Sequence, residues 1–459
     1  MSAPRMRRTT LWALGIVLAG AALRLAVWWV NQPNNAFDDH LEPIQFYATQ
    51  ATRPAPDACW QCYQPPLYYA FSAAVLRLSH LVFGDFWQAW RSVQLASVAF
   101  SLLQLGIAWR LLALIGARAF APRLCALAVL AFLPRDIYTA AFVSNDAALC
   151  LTVSLAVLVY LEALQRGCDG GVARRLVALF AAVCAAAWTK QSGLIAAALP
   201  LAFAAWWVRE CGCREPGGTW DRGRLVRGFA WLALGLAIVG ADELYKFEAT
   251  GHLLVSNQHF YDWPRVQKPG SVGATSFFDL RPIQLLRHPT LSPETLDSFW
   301  TELFAKLWFD YDPKLLTDTA SARAIAAVSY CAGFAVLPFW IFGVVLAMRR
   351  WRSAFERQIL VAVQLAFVAV PLAQTLRFPY FSSMKATFFL PAASLATVFL
   401  SLSFEKLWER RRLRIALLCL VALLGIAATA QVVLITQDIE NAMITSYRGG
   451  KLWPFPPPW

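Results

Sequence analysis

The feature that most constrains this chain is a series of apolar runs, each of about 15 to 25 residues, separated by short arginine-rich clusters. They lie near residues 11–30, 92–115, 124–142, 146–165, 175–189, 193–208, 229–246, 324–347, 357–376, 385–403 and 415–436. A helix rises about 1.5 Å per residue, so roughly 20 apolar residues match the hydrocarbon core of a bilayer. A chain that is 58% hydrophobic and only 15% charged lies outside the soluble range. The expected fold class is therefore an all-α polytopic membrane protein. It should have about 11 transmembrane helices, juxtamembrane helices and one larger outer loop.

Charge orients these runs. The formal net charge of +13 is not a nucleic-acid signature, because more than half of the 41 Lys and Arg fall in six short clusters between apolar runs. The clusters occupy 1–10, 116–123, 166–175, 209–227, 349–357 and 404–414. They all fall on one side if the further apolar run at 66–83 does not span, and the later ones change sides if it does. The positive-inside rule then makes 66–83 a juxtamembrane or re-entrant helix and the N terminus cytoplasmic. Residues 11–30 read as a retained helix with no cleavage site after it. The expected location is the inner (plasma) membrane, with nucleic acid absent from the partners and membrane lipids among them.

The same topology divides the chain. Residues 1–246 form an N-terminal transmembrane module, 247–323 an outer loop, 324–436 the C-terminal transmembrane helices and 437–459 an outer tail rich in aromatics and proline. Within 247–323, an SPET start with Ser292 as cap and an apolar pattern through Phe299, Leu303, Phe304, Leu307 and Trp308 predict an amphipathic helix lying on the membrane. The outer face also collects Asp136 and Asp146, Lys190, Arg377 and Lys385, so acids and isolated cations converge on one surface.

Five of the ten cysteines are scattered on apolar stretches and read as small buried hydrophobes. Cys59 and Cys62 form CWQC on the outer side, where a disulfide is expected. Cys211 and Cys213 form CGC, and neither pair has the second pair that a tetrahedral zinc site needs, so no metal site is expected.

Candidate chemistry begins just past the first apolar run, in FDDHLE. Asp38, Asp39, His40 and Glu42 stand where a helix would deliver them to the lipid boundary, and ionisable groups there are functional candidates. Asp38 and Asp39 are adjacent and point in different directions, so one of them is a candidate general base, the alternative being a solvated acidic loop. Asp146 follows Asn145 in VSNDAALCL, as a helix cap or a site acid. Lys190 in WTKQSG sits in a short turn between apolar runs, a candidate anion site or a snorkelling cation. Arg377 and Lys385 occupy another turn, as anion ligands or headgroup contacts.

Taken in order, the acidic pair, Pro65-Pro66-Leu67-Tyr68-Tyr69, the NDAAL stretch, TKQSG and, more loosely, YFSSMKATFFLP resemble the GT-C glycosyltransferases. These use polyprenyl-phosphate sugars, and the resemblance is to the protein O-mannosyltransferase and lipid A aminoarabinose transferase group. It covers roughly residues 10 to 210 and the later echo. What the resemblance implies is an enzyme, an inverting glycosyltransferase acting at the outer membrane face. Asp38 or Asp39 would act on the acceptor and Asp146 would support from the second loop. Lys190, Lys385 and Arg377 would hold the lipid phosphate, with His40, Glu42, Gln64 and Asn145 in support. The donor would be a polyprenyl-phosphate-linked sugar and the acceptor a glycolipid, polysaccharide or protein, with no certain cofactor. Two departures stand out: the usual Asp-Glu is Asp-Asp here, and the residue before the prolines, commonly His or Lys, is Gln64.

The chain has no nucleotide-binding glycine loop, in keeping with a lipid-linked donor. A secondary transporter would instead favour mid-helix acids and broken helices, and a membrane scaffold would make the acids individually dispensable. The topology itself is testable by cysteine labelling from outside. Positions in 247–323 and in the tail should react and those in 209–227 should not, and labelling of 209–227 would overturn the arrangement.

Overall fold

The structure, a computed structural model, describes residues 3–31, 40–167, 171–211, 222–260, 273–289, 298–309, 319–379 and 384–448. These are helical in almost every ordered element. In chain order they are α1 (Ala3–Val30), α2 (Leu41–Gln50), α3 (Leu67–Phe83), α4 (Phe86–Ile115), α5 (Phe120–Ala131) and α6 (Pro134–Ala140). There follow α7 (Asn145–Gln165), α8 (Val172–Thr189), a 3-10 segment at Gln191–Ala197, α9 (Ala198–Cys211) and α10 (Arg222–Thr250). The second half holds α11 (Pro282–Arg287), α12 (Phe299–Trp308), α13 (Ala320–Arg350), α14 (Phe355–Arg377), a second long 3-10 segment at Ala386–Ala392, α15 (Ala393–Trp408) and α16 (Arg411–Arg448).

Among the described residues, 10 helices are long and apolar enough to cross a membrane, and the chain is a multi-pass membrane protein. Ten of the eleven expected runs coincide with them. The eleventh, 124–142, is split between α5 and α6, each too short to span alone. Its ends nevertheless reach opposite ends of the bundle. Ala117 N donates to Ser401 Oγ and Ala119 N to Glu405 Oε1 near the close of α15, whereas Ala141 O accepts from Asn31 Nδ2 at the end of α1.

A helix break inside a membrane bundle strands backbone groups that lipid cannot satisfy. Pro134 opens α6 at a position where its missing N–H costs nothing. Arg24, in the outer half of α1 and fully buried, repairs the other side. Its guanidinium donates to Ala131 O (2.9 Å) at the end of α5, to Gly20 O (2.9 Å), to Ser101 Oγ (2.8 Å) and to the Asp136 carboxylate in the first turn of α6. Asp136 is thus not at the outer surface as expected from the sequence; it is buried, paired with Arg24 and hydrogen-bonded by Ser101 Oγ at 3.1 Å.

The stretch Ala386–Trp408 is the centre of the bundle, 83% buried against 22–61% for the other crossings. Small residues let its neighbours close in, as is usual between membrane helices. A Cβ on Gly343 of α13 would stand 2.0 Å from Phe399 O, and Ser154 Oγ of α7 donates to Ser394 Oγ at 2.8 Å. The 66–83 run forms α3, which doubles back on α4 through a left-handed Gly84 (φ 66°), with Phe71 against Phe100. Asp85 caps α4 by accepting from Gln88 N at 2.7 Å.

The amphipathic helix of the outer loop is present as α12, but its apolar face is spent on protein. Phe299, Leu303 and Trp308 are buried, Phe304 stacks on Phe334 (4.3 Å), and Trp308 lies where a side chain on Gly333 would be. The expected cap Ser292, and the tail 449–459, lie outside the described residues. Cys59 and Cys62 are disulfide-bonded with Cα atoms 5.0 Å apart.

Removing one member of the Arg24–Asp136 pair leaves a charge buried without its counter-ion, which costs about 3–5 kcal/mol. Asp136→Asn should therefore lower the thermal unfolding temperature of purified protein markedly, and the double variant Asp136→Asn with Arg24→Met should recover part of the loss. Unfolding of Asp136→Asn at the wild-type temperature would contradict this account.

Candidate functional site

The site is built where α7 begins and α8 ends. Ser144 caps α7, its Oγ accepting from Asp146 N (3.2 Å), so Asp146 itself is not the cap. Asn145 Nδ2 donates to Thr189 O (3.2 Å), one of the carbonyls left over at the end of α8, and ties the two helix ends together. Lys190 then leaves the helix in an extended conformation (φ −155°, ψ 143°) and turns its ammonium back to Asp146 Oδ1 at 2.6 Å. Both side chains are nearly buried, with 10% and 8% of their surface exposed. The other carboxylate oxygen accepts from Ser144 Oγ at 3.0 Å.

The turn depends on a glycine. Gly193 N donates to Lys190 O (2.8 Å), and a Cβ on Gly193 would stand 2.1 Å from Ala186 O in α8. Only glycine lets the 3-10 segment lie this close to the preceding helix.

A second lysine turn meets the first. Lys385 precedes the 3-10 segment Ala386–Ala392 as Lys190 precedes Gln191–Ala197. Phe388 N donates to Lys385 O (3.3 Å), and the Phe388 ring lies 5.3 Å from Lys190 Nζ, a cation–π contact.

His40 approaches from the first outer loop. Its Nδ1 is 2.8 Å from Tyr69 OH and its Nε2 3.5 Å from Ser144 Oγ. Because Ser144 gives its own proton to Asp146, the coherent arrangement has His40 donating from Nε2 and accepting at Nδ1 from Tyr69. The neighbouring Tyr68 is buried, and burial holds its hydroxyl well above the usual phenol range, so it acts as a neutral group. Asp38 and Asp39 lie outside the described residues, between Asn31 and His40.

Other candidates fall elsewhere. Glu42 is in the first turn of α2, half-buried. Gln64 is buried within its own loop, donating to Tyr63 OH (2.8 Å) and Gln61 Oε1 (3.3 Å). Arg377 is exposed and directed away from the lysine turns, at Leu254 O (3.3 Å) and His259 Nε2 (3.1 Å).

Two charged groups escaped the sequence reading. On α10, Lys246 is fully buried between Asp242 and Glu243, Asp242 also holds Arg53, and Glu243 accepts from Gln191 Nε2 (3.0 Å) and Leu254 N (3.0 Å). This network fixes the residue after Lys190. Charges in GADELYK, at the end of an apolar run, were the available signal. The second group is Glu302 and Lys306 on α12, whose spacing in TELFAK reads equally well as a solvated ion pair. No cluster of three or more His, Cys, Asp or Glu suited to a metal occurs among the described residues.

Overpacking of this kind costs about 1–3 kcal/mol. Gly193→Ala should lower the unfolding temperature by several degrees, whereas Gly240→Ala, whose added Cβ meets nothing within 4 Å, should not. Equal unfolding temperatures for both variants would refute the close approach.

No protein-family model matches the chain, and no curated protein does. Among solved structures it is similar to the Archaeoglobus fulgidus oligosaccharyltransferase in complex with Zn and sulfate, at 14% identity and a TM-score of 0.49, over 95% of this chain and 56% of that one. It is similar to the arabinofuranosyltransferase AftD from mycobacteria at 16% identity and a TM-score of 0.45, over 91% and 27%. ArnT from Cupriavidus metallidurans bound to undecaprenyl phosphate matches at 19% identity and a TM-score of 0.34, over 85% and 77%. The chain spans about half the length of the oligosaccharyltransferase. These similarities are to GT-C glycosyltransferases.

Proposed function

We propose that this chain is an inverting glycosyltransferase that moves a sugar from a polyprenyl-phosphate carrier to an acceptor hydroxyl at the outer face of the inner membrane. The observation that carries the reading is the buried Lys190–Asp146 pair, set against the Lys385 turn and reached by His40 directly after Asp38 and Asp39. In this mechanism one of Asp38 and Asp39 takes the proton of the acceptor hydroxyl. The acceptor oxygen forms a bond to the anomeric carbon from the face opposite the phosphate. The bond from that carbon to the phosphate oxygen breaks, and its electron pair leaves with the lipid phosphate. Lys190 and Lys385 stabilise that developing charge, where fixed cations in a water-poor site act strongly.

Asp146 has a different task in this reading. With its oxygens engaged by Lys190 and Ser144, it orients the ammonium rather than taking the acceptor proton. His40, through Ser144, holds the start of α2 and the acids before it next to that pair. Membrane lipids and the lipid-linked donor are the proposed partners.

A secondary transporter is favoured by one observation, the acid and the broken helix at Arg24 and Asp136. That pair is sealed, however, at 0% and 3% side-chain exposure, and its guanidinium is used by the backbone of the break.

Transfer by purified Asp38→Asn and Asp39→Asn, assayed with labelled polyprenyl-phosphate sugars, tests the mechanism. Loss of the base should cost on the order of a hundred- to ten-thousand-fold in rate at one position, with donor binding kept, and the neighbouring variant should be mild. Near wild-type rates in both would sink it.

A further inference from the structure

α12 belongs to the outer segment, yet it is fastened to the second lysine turn. Met384, the residue before Lys385, is fully buried and packs with Phe299 and Leu303 of α12. Lys306, one turn further along α12, donates from Nζ to Met384 O at 3.1 Å and pairs with Glu302 at 3.0 Å. Glu302 is fully buried, and among the described residues its ion-pair partner is Lys306. A buried carboxylate is tolerated only with such a partner, so Glu302 fixes the ammonium over the turn. The Lys306 side chain keeps 20% of its surface exposed, so the ammonium remains reachable.

Three lysines therefore gather on residues 384–388: Lys306 at the carbonyl of Met384, Lys385 in the turn itself, and Lys190 at the ring of Phe388. Against these three ammonium groups stand two carboxylates, Asp146 and Glu302, each paired to one of them. Like charges held together in a poorly screened region repel unless an anion joins them. We infer that Lys306 is a third phosphate-binding residue of the site, contacting the phosphodiester of the lipid-linked donor beside Lys190 and Lys385, with Glu302 as its positioning residue. This rests on the donor reading above and adds α12 to it, so that the outer segment carries part of the donor site as well as covering it.

The test is binding of undecaprenyl phosphate to purified protein in phosphatidylcholine nanodiscs. Because Lys306→Met alone would strand Glu302, the informative variant is Lys306→Met with Glu302→Gln, which keeps both side-chain shapes and removes both charges. It should retain the wild-type unfolding temperature and bind at least about tenfold more weakly, the size expected for losing one charged hydrogen bond. Unchanged affinity in this variant, with weakened binding in Lys190→Ala, would overturn the role of Lys306 alone. Unchanged affinity in Lys190→Ala, Lys385→Ala and the double variant together would overturn the donor site as a whole. Phosphatidylglycerol in equal amount should not compete. Equal competition would mark the turn as a site for ordinary headgroups and overturn the proposal.

Discussion

The ion pair between Lys190 and Asp146 is the interaction on which the outer end of this bundle depends. It joins residues 44 positions apart, at the end of one helix and the start of the next, in surroundings where either charge alone would cost several kcal/mol. Everything around it serves to make the pair affordable: Ser144 occupies the second carboxylate oxygen, Asn145 closes the end of α8, and Gly193 lets the following segment fold against Ala186. The pair is also the only partly reachable part of the arrangement, since each side chain keeps about a tenth of its surface. An anion arriving at Lys190 therefore meets an ammonium already desolvated and aimed, which is what preorganised electrostatics requires.

The same physical rule governs the interior. Where α5 breaks before Pro134, the freed carbonyl and the new helix start need partners that lipid cannot offer. Arg24 supplies both from α1, reaching Ala131 O and Asp136 with one planar group. Two charged pairs thus do unlike work. Arg24 and Asp136 are sealed and hold a kinked crossing together, whereas Lys190 and Asp146 face the outer end, where three separate segments meet.

Much of this was legible in the residues and some was not, for reasons that differ. Apolar runs of membrane length announce themselves because the bilayer sets their length, and CWQC on the outer side carried its disulfide plainly. The run 124–142 looked continuous because Phe132 and Leu133 are as apolar as the helices they separate; Pro134 was the signal of the break. NDAAL and TKQSG each pointed to a charged residue near a helix end, but that Asp146 and Lys190 meet is a property of how α7 packs on α8. Arg377 stood in the right stretch of sequence and is directed at His259 instead. Lys306 had no distinguishing mark, because Glu and Lys four residues apart occur on any solvated helix, and only the packing of α12 on Met384 gives the pair its place.

The central claim is that the lysines around Phe388 hold the phosphate of a lipid-linked donor. Cryo-electron microscopy of the protein in nanodiscs with undecaprenyl phosphate tests it most directly. The account predicts phosphate density within hydrogen-bonding distance of Lys190 and Lys385, on the side of the turn that faces His40. Phosphate density at Arg377 and His259, or density away from both lysines, would contradict it.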